Sequence, residues 1–95
     1  MGLEIAIMRE GNVKYNKRGQ AHWRVTRVAF IEGAHELCSL LMLENCKTIS
    51  ISGGQIWEAA NEIAGEIERE NVQADLGAGN VKNDFDTYYQ VEASW

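Results

Sequence analysis

The chain has 95 residues, of which 45% are hydrophobic and 24% charged, with a net charge of −5, no proline and two cysteines. This length fits one domain with a modest core. No apolar run is long enough for a membrane span or a secretory leader, and Ala6 spoils an N-myristoylation signal at Gly2. A cytoplasmic location with reduced thiols at Cys38 and Cys46 is therefore expected, rather than a disulfide framework.

In chain order, Leu3, Ile5 and Ile7 alternate with Glu4, Ala6 and Met8, the pattern of a strand with one buried face. Glu10-Gly11-Asn12 reads as a turn, Val13 to Asn16 as a short second strand and Lys17-Arg18-Gly19-Gln20 as a second turn. His22 to Ile31 is rich in Trp, Val, Thr and Phe and predicts a longer strand. Its apolar parity changes from Trp23 and Val25 to Val28 and Phe30, which calls for a bulge near Arg27 or burial on both faces. The Leu-rich stretch within residues 34–45 favours a helix, with a strand as the alternative; apolar around most of its circumference, it would lie in the core or at a subunit contact. Thr48 to Ile51 is a short strand, and Ser52-Gly53-Gly54-Gln55 has the spacing of a capping box, with Ile51 and Ile56 as a hydrophobic staple.

From there Ile56, Ala59, Ala60, Ile63, Ala64 and Ile67 recur at helical steps and predict one helix reaching residues 71–74. After a polar loop, Phe85, Thr87, Tyr89, Val91, Ala93 and Trp95 alternate with polar neighbours and predict a closing strand with the first set buried. The sum is an α+β domain spanning residues 1–95: a small antiparallel or mixed sheet with one or two helices on one face, in the order ββ(β)αβαβ.

Charge is split along this chain. Through Arg27, six basic residues stand against two acids, a local +4, whereas residues 28–95 carry three basic residues and twelve acids, a local −9. On a continuous helix Glu58, Glu62, Glu66 and Glu70 form one row opposite the apolar stripe, about 6 Å apart at a rise of about 1.5 Å per residue. Each like-charge pair there costs roughly 0.2 to 0.5 kcal/mol, and Glu66, Glu68 and Glu70 would crowd the negative end of the helix dipole. Such a row can imitate phosphates and occupy the nucleic-acid groove of a basic partner, and Asp75, Asp84, Asp86 and Glu92 could widen it. The alternative is a solvated face that serves solubility.

The basic half offers a competing site. Lys14, Tyr15, Lys17, Arg18, His22, Trp23, Arg24 and Arg27 interleave cations with aromatics on a hairpin, a mix that pairs with phosphates and stacks on bases. The bland alternative buries Trp23 and pairs the cations with the chain's own acids or a second copy's. Gly53-Gly54 at a helix start invites anion binding, but the capping box already uses amides a phosphate would need. His35 and Cys38, with Cys46 and His22, match no usual zinc spacing, and no catalytic motif is present.

Three functions follow as expectations. The first is a non-catalytic inhibitor whose acidic helix engages a basic, nucleic-acid-binding protein surface. Phage anti-defence proteins (anti-CRISPR or anti-restriction) and toxin-immunity proteins offer an analogy of composition. The second is nucleic-acid binding by the basic hairpin, and the third a thiol or metal enzyme at His35 and Cys38. The first needs no cofactor and leaves a homodimer open.

Overall fold

The alternation of Leu3, Ile5 and Ile7 with polar neighbours produces the strand around which the molecule is organised. The structure, a computed structural model, describes residues 2–95, apart from the side chains of residues 10–14 and 21–25. Strand β1 (Glu4–Tyr15) hairpins to β2 (Ala21–Glu32), followed by helix α1 (His35–Leu40), strand β3 (Thr48–Ser52), helices α2 (Gly53–Asn61) and α3 (Glu66–Ala78), and strand β4 (Tyr88–Ser94). The sheet is wholly antiparallel in the order β2-β1-β4-β3. The α+β class stands, and the element order is ββαβααβ.

Ile5 and Ile7 of β1, Ala29 and Ile31 of β2 and Tyr89, Val91 and Ala93 of β4 are buried in one cluster with Leu37, Ile56, Ala59, Ala60, Val72 and Leu76 from the helices. Complete burial of one such aliphatic side chain stabilises by about 1.5 to 3 kcal/mol. The opposite sheet face carries Glu4, Ala6, Met8, Gln90 and Glu92, all exposed or half-buried, so the helices cover one face. The closing alternation holds from Tyr89 to Ala93. Phe85 and Trp95, expected inside, lie beyond the strand ends and are exposed.

Other expectations need correction, and one, the bulge near Arg27, holds. Glu10-Gly11-Asn12 is not a turn: β1 continues to Tyr15, and the extra residue is absorbed as a bulge between Glu10 and Val13. The second irregularity, at Ile7/Met8, leaves Val28 between the paired residues Arg27 and Ala29, the bulge expected near Arg27. The helix within 34–45 spans only His35–Leu40 and ends in a turn in which Met42 takes φ 56.

The predicted long helix is two helices. Its break falls at residues 62–65, where Ile63 remains buried while the amides of Ala64 and Gly65 leave the helical ladder and donate to Glu36, at 2.7 Å to Oε2 and 2.9 Å to Oε1. The break changes the helical phase. Ile67, expected on the apolar stripe, is 79% exposed, and α3 instead buries Val72 and Leu76.

Neither α1 nor α3 has a side-chain cap of its own, since Ala34 and Gly65 occupy the cap positions. They cap each other. Glu36, in the first turn of α1, holds the amides that lead into α3. Glu68, in the first turn of α3, accepts from the amides of Glu36 and Leu37 at 3.3 and 3.1 Å. Arg69 Nη1 donates to the Ile63 carbonyl at 2.9 Å and closes the same junction.

Candidate nucleic-acid interface and the other charged surfaces

β1 meets β4 only from Glu4 to Met8, so beyond Met8 it pairs with β2 alone. Residues 9–15 and 21–27 therefore form a two-stranded arm that extends past the sheet, in a molecule measuring 51 × 30 × 20 Å. Its tip is an ordered turn: Asn16 Oδ1 accepts from the Arg18 and Gln20 amides at 2.9 and 3.0 Å, and Gly19 takes φ +76, a conformation suited to glycine.

The stretch from Arg9 to Arg27 contains six cations and one acid, a net +5, which leaves −10 on the rest of a chain whose total is −5. Arg9, Lys17, Arg18 and Arg27 are exposed, and Tyr15 is 71% exposed beside the tip. The Arg27 guanidinium lies 4.9 Å from the centroid of the Phe30 ring at the arm's base. Lys14 pairs in register with His22, and Val13 with Trp23, but the side chains of Lys14, His22, Trp23 and Arg24 lie outside the described residues. Among the described residues the one ion pair is Lys47 with Glu44, so the described cations of the basic half, Arg9, Lys17, Arg18 and Arg27, form none.

The acidic candidates are dispersed. Glu58 lies on α2 and Glu62 caps its C-terminus, whereas Glu66 and Glu70 belong to α3, so the four carboxylates do not share one helical row. Glu66 and Glu68 occupy the first turn of α3, where the dipole favours them, so the electrostatic penalty expected for Glu66, Glu68 and Glu70 at a helix C-terminus does not arise. Asp75 lies toward the other end of α3. Asp84 and Asp86 lie at the N-terminus of α2, about 13 Å along a helix of nine residues from Glu62. Asp84 Oδ1 accepts from the Thr87 and Asp86 amides at 2.7 and 3.1 Å, and Oδ2 from the Thr87 hydroxyl at 3.2 Å. These bonds, led by those from Thr87, hold its carboxyl below the ordinary aspartate range.

The Gly53-Gly54 start of α2 has no amide to offer an anion. Gly53 N–H donates to Thr87 O at 2.8 Å, Gly54 N–H to Asp84 O at 2.6 Å and Gln55 N–H to Ser52 Oγ at 3.2 Å. Gln55 Oε1 in turn accepts from the Ser52 amide at 3.1 Å, completing the capping box. A β-carbon on Gly53 would collide with the Lys82 carbonyl, so this glycine allows the 80–87 loop to approach. The Trp57 indole N–H, bonded to Val81 O at 2.7 Å, and the Tyr89 hydroxyl, accepting from the Lys82 amide at 2.9 Å, hold the same loop.

His35 and Cys38 line a cavity of about 600 Å³ with Leu3, Ser39, Met42 and Trp95. Burial pushes the Cys38 thiol up, the opposite of what a nucleophile at neutral pH requires. No cluster of three His, Cys, Asp or Glu side chains able to hold a metal occurs among the described residues, and both cysteines are free. None of the described helices is long and apolar enough to cross a membrane.

Sequence reasoning missed the cleft formed by Leu40, Leu41, Met42, Ile51, Gln55, Glu58, Ala59 and Glu62, about 280 Å³ beside strand β3. Its only sequence signal was a run of leucines too apolar for a fully covered short helix. Comparison of the chain with protein-family models, with curated proteins and with solved structures returns no match.

Proposed function

We propose that this protein is a non-catalytic binding module whose basic β-arm engages nucleic acid. The observation that carries the reading is the collection of a net +5 on a two-stranded arm that pairs with no other part of the sheet. The net charge of −5 opposes nucleic acid only if the acidic body comes near it. Seven residues from Arg9 to Tyr15 span about 24 Å at about 3.4 Å per residue. At physiological ionic strength the Debye length is about 8 Å, so the arm's tip is electrostatically separate from the body. A two-stranded ribbon fits the major groove of a duplex, and exposed Tyr15 adds a stacking surface for an unpaired base.

The inhibitor reading retains exposed carboxylates at Glu58, Glu62, Glu66 and Glu70 but loses the continuous row on which phosphate imitation rested. The raised thiol of Cys38 counts against this cysteine as a nucleophile.

Fluorescence polarisation with a labelled single strand and the matching duplex tests the proposal. The expected result at about 50 mM salt is binding whose logarithm falls with log salt at a slope of about −4.5 to −5.4 on duplex, from five to six neutralised phosphates. Reversing both tip charges (Lys17→Glu with Arg18→Glu) should weaken binding roughly tenfold or more. No binding by the unaltered protein to either probe under these conditions refutes the proposal.

A further inference from the structure

The two edges of the sheet are defended differently. Edge strand β2 carries Arg24 and Arg27 and faces two register shifts, features that discourage pairing with another strand. Edge strand β3, Thr-Ile-Ser-Ile-Ser, has no charge, no proline and an unbroken register with β4 from Thr48 to Ser52. Its outward hydrogen-bonding groups follow from the ladder. Gly53 N–H bonds to Thr87 O, so 53/87 is a hydrogen-bonded pair, and alternation makes 51/89 and 49/91 the next such pairs. The N–H and C=O groups of Thr48 and Ser50, and the N–H of Ser52, then point away from β4. The Ser52 amide is taken by Gln55, as this phase requires. Beyond the β4 ladder, no hydrogen bond among the described residues reaches the backbone of Thr48 or Ser50, and both residues are exposed.

Beside this edge lies the cleft lined by Leu40, Met42, Ile51 and Ala59, with Glu58 and Glu62 as its charged members. Leu40 is 41% and Met42 83% exposed, a large apolar surface to leave uncovered. We infer that β3 is a strand-addition site that receives an extended segment of a partner protein. Thr48 and Ser50 supply backbone bonds, the cleft takes apolar side chains at alternate positions, and Glu58 and Glu62 pair with a lysine or arginine among them. Charge selects this occupant over a second copy. A two-fold pairing of β3 with itself would bring Glu58 and Glu62 of both copies onto one side of the joined sheet, whereas a basic strand neutralises them.

The probe is the blocked peptide Thr-Leu-Thr-Arg-Thr-Leu-Thr, whose leucines and arginine share one face, titrated into the full chain and followed by amide NMR. Saturable shifts centred on Thr48, Ser50 and the cleft residues are expected. The Ser50→Pro variant removes an outward N–H without touching the β4 ladder, so it should keep the native spectrum and lose the shifts. If that variant unfolds, Glu58→Gln with Glu62→Gln serves instead and should weaken binding roughly three- to tenfold, as should a peptide with Glu in place of Arg. Absence of saturable shifts at Thr48 and Ser50 overturns the inference, as does light scattering showing that the free protein is a dimer which Ser50→Pro converts to monomer. Neither outcome depends on whether the arm binds nucleic acid.

Discussion

Replacing Glu36 with alanine tests whether the reciprocal capping of α1 and α3 holds the helix layer together. The Glu36 carboxylate accepts two amide hydrogens at 2.7 and 2.9 Å, and the substitution leaves the start of α3 with neither partner. Hydrogen bonds to charged groups contribute about 1.5 to 3 kcal/mol each, but Ala64 is exposed and water can replace part of the loss, so about 2 kcal/mol is expected in total. For a chain of this size that lowers Tm by roughly 8 to 16 °C. Glu68→Ala removes longer bonds, at 3.1 and 3.3 Å, and should cost about 1 kcal/mol. Glu66→Ala, exposed in the same turn of α3 with no such bonds, serves as the control and should change stability by less than about 0.5 kcal/mol. Thermal unfolding followed by circular dichroism measures all three. Equal Tm values for the Glu36 and Glu66 variants would refute the capping argument and return Glu36 to the solvated surface charges.

Two further perturbations read other parts of the fold. Gly53→Ala should destabilise by about 2 to 3 kcal/mol, because its β-carbon meets the Lys82 carbonyl and lies 3.1 Å from the Tyr89 ring. Gly77→Ala, within α3 with no heavy atom within 4 Å, should stabilise by about 0.5 kcal/mol, and chemical denaturation of the two variants must give opposite signs. For Asp84, the folded-state pKa lies below the ordinary value of 3.8, so its stabilisation is complete above that value and is lost as pH falls through the folded pKa. Asp84→Asn should therefore be less stable than the parent at neutral pH, with the gap closing in strong acid; a gap constant down to the lowest pH would contradict this assignment.

Elements whose determinants are close in sequence were legible without the structure. The alternation of Ile5 with Ile7 and of Tyr89 with Val91, the Ser52–Gln55 capping box and the bulge near Arg27 are all written within a few residues of one another. The basic hairpin was legible as a cluster of cations with a turn at Lys17 to Gln20. Its extension as an isolated arm was not, because that depends on β4, near the other end of the chain, reaching no farther along β1 than Met8.

The same distinction explains the break between α2 and α3. Helical periodicity carries smoothly from Ile56 to Ile67, and nothing local overrides it except Gly65, which costs a helix interior only about 1 kcal/mol. The decisive partner is Glu36, 28 residues from Ala64, whose carboxylate offers two amides stronger bonds than the helical ladder would. Local pattern thus determined the type of most segments, strand or helix, and where the charge of each sign is concentrated. Tertiary contacts decided where one helix becomes two, and with it how the acids are divided between two helices, and which edge of the sheet is left open, since those depend on hydrogen-bond partners that no short window of sequence contains.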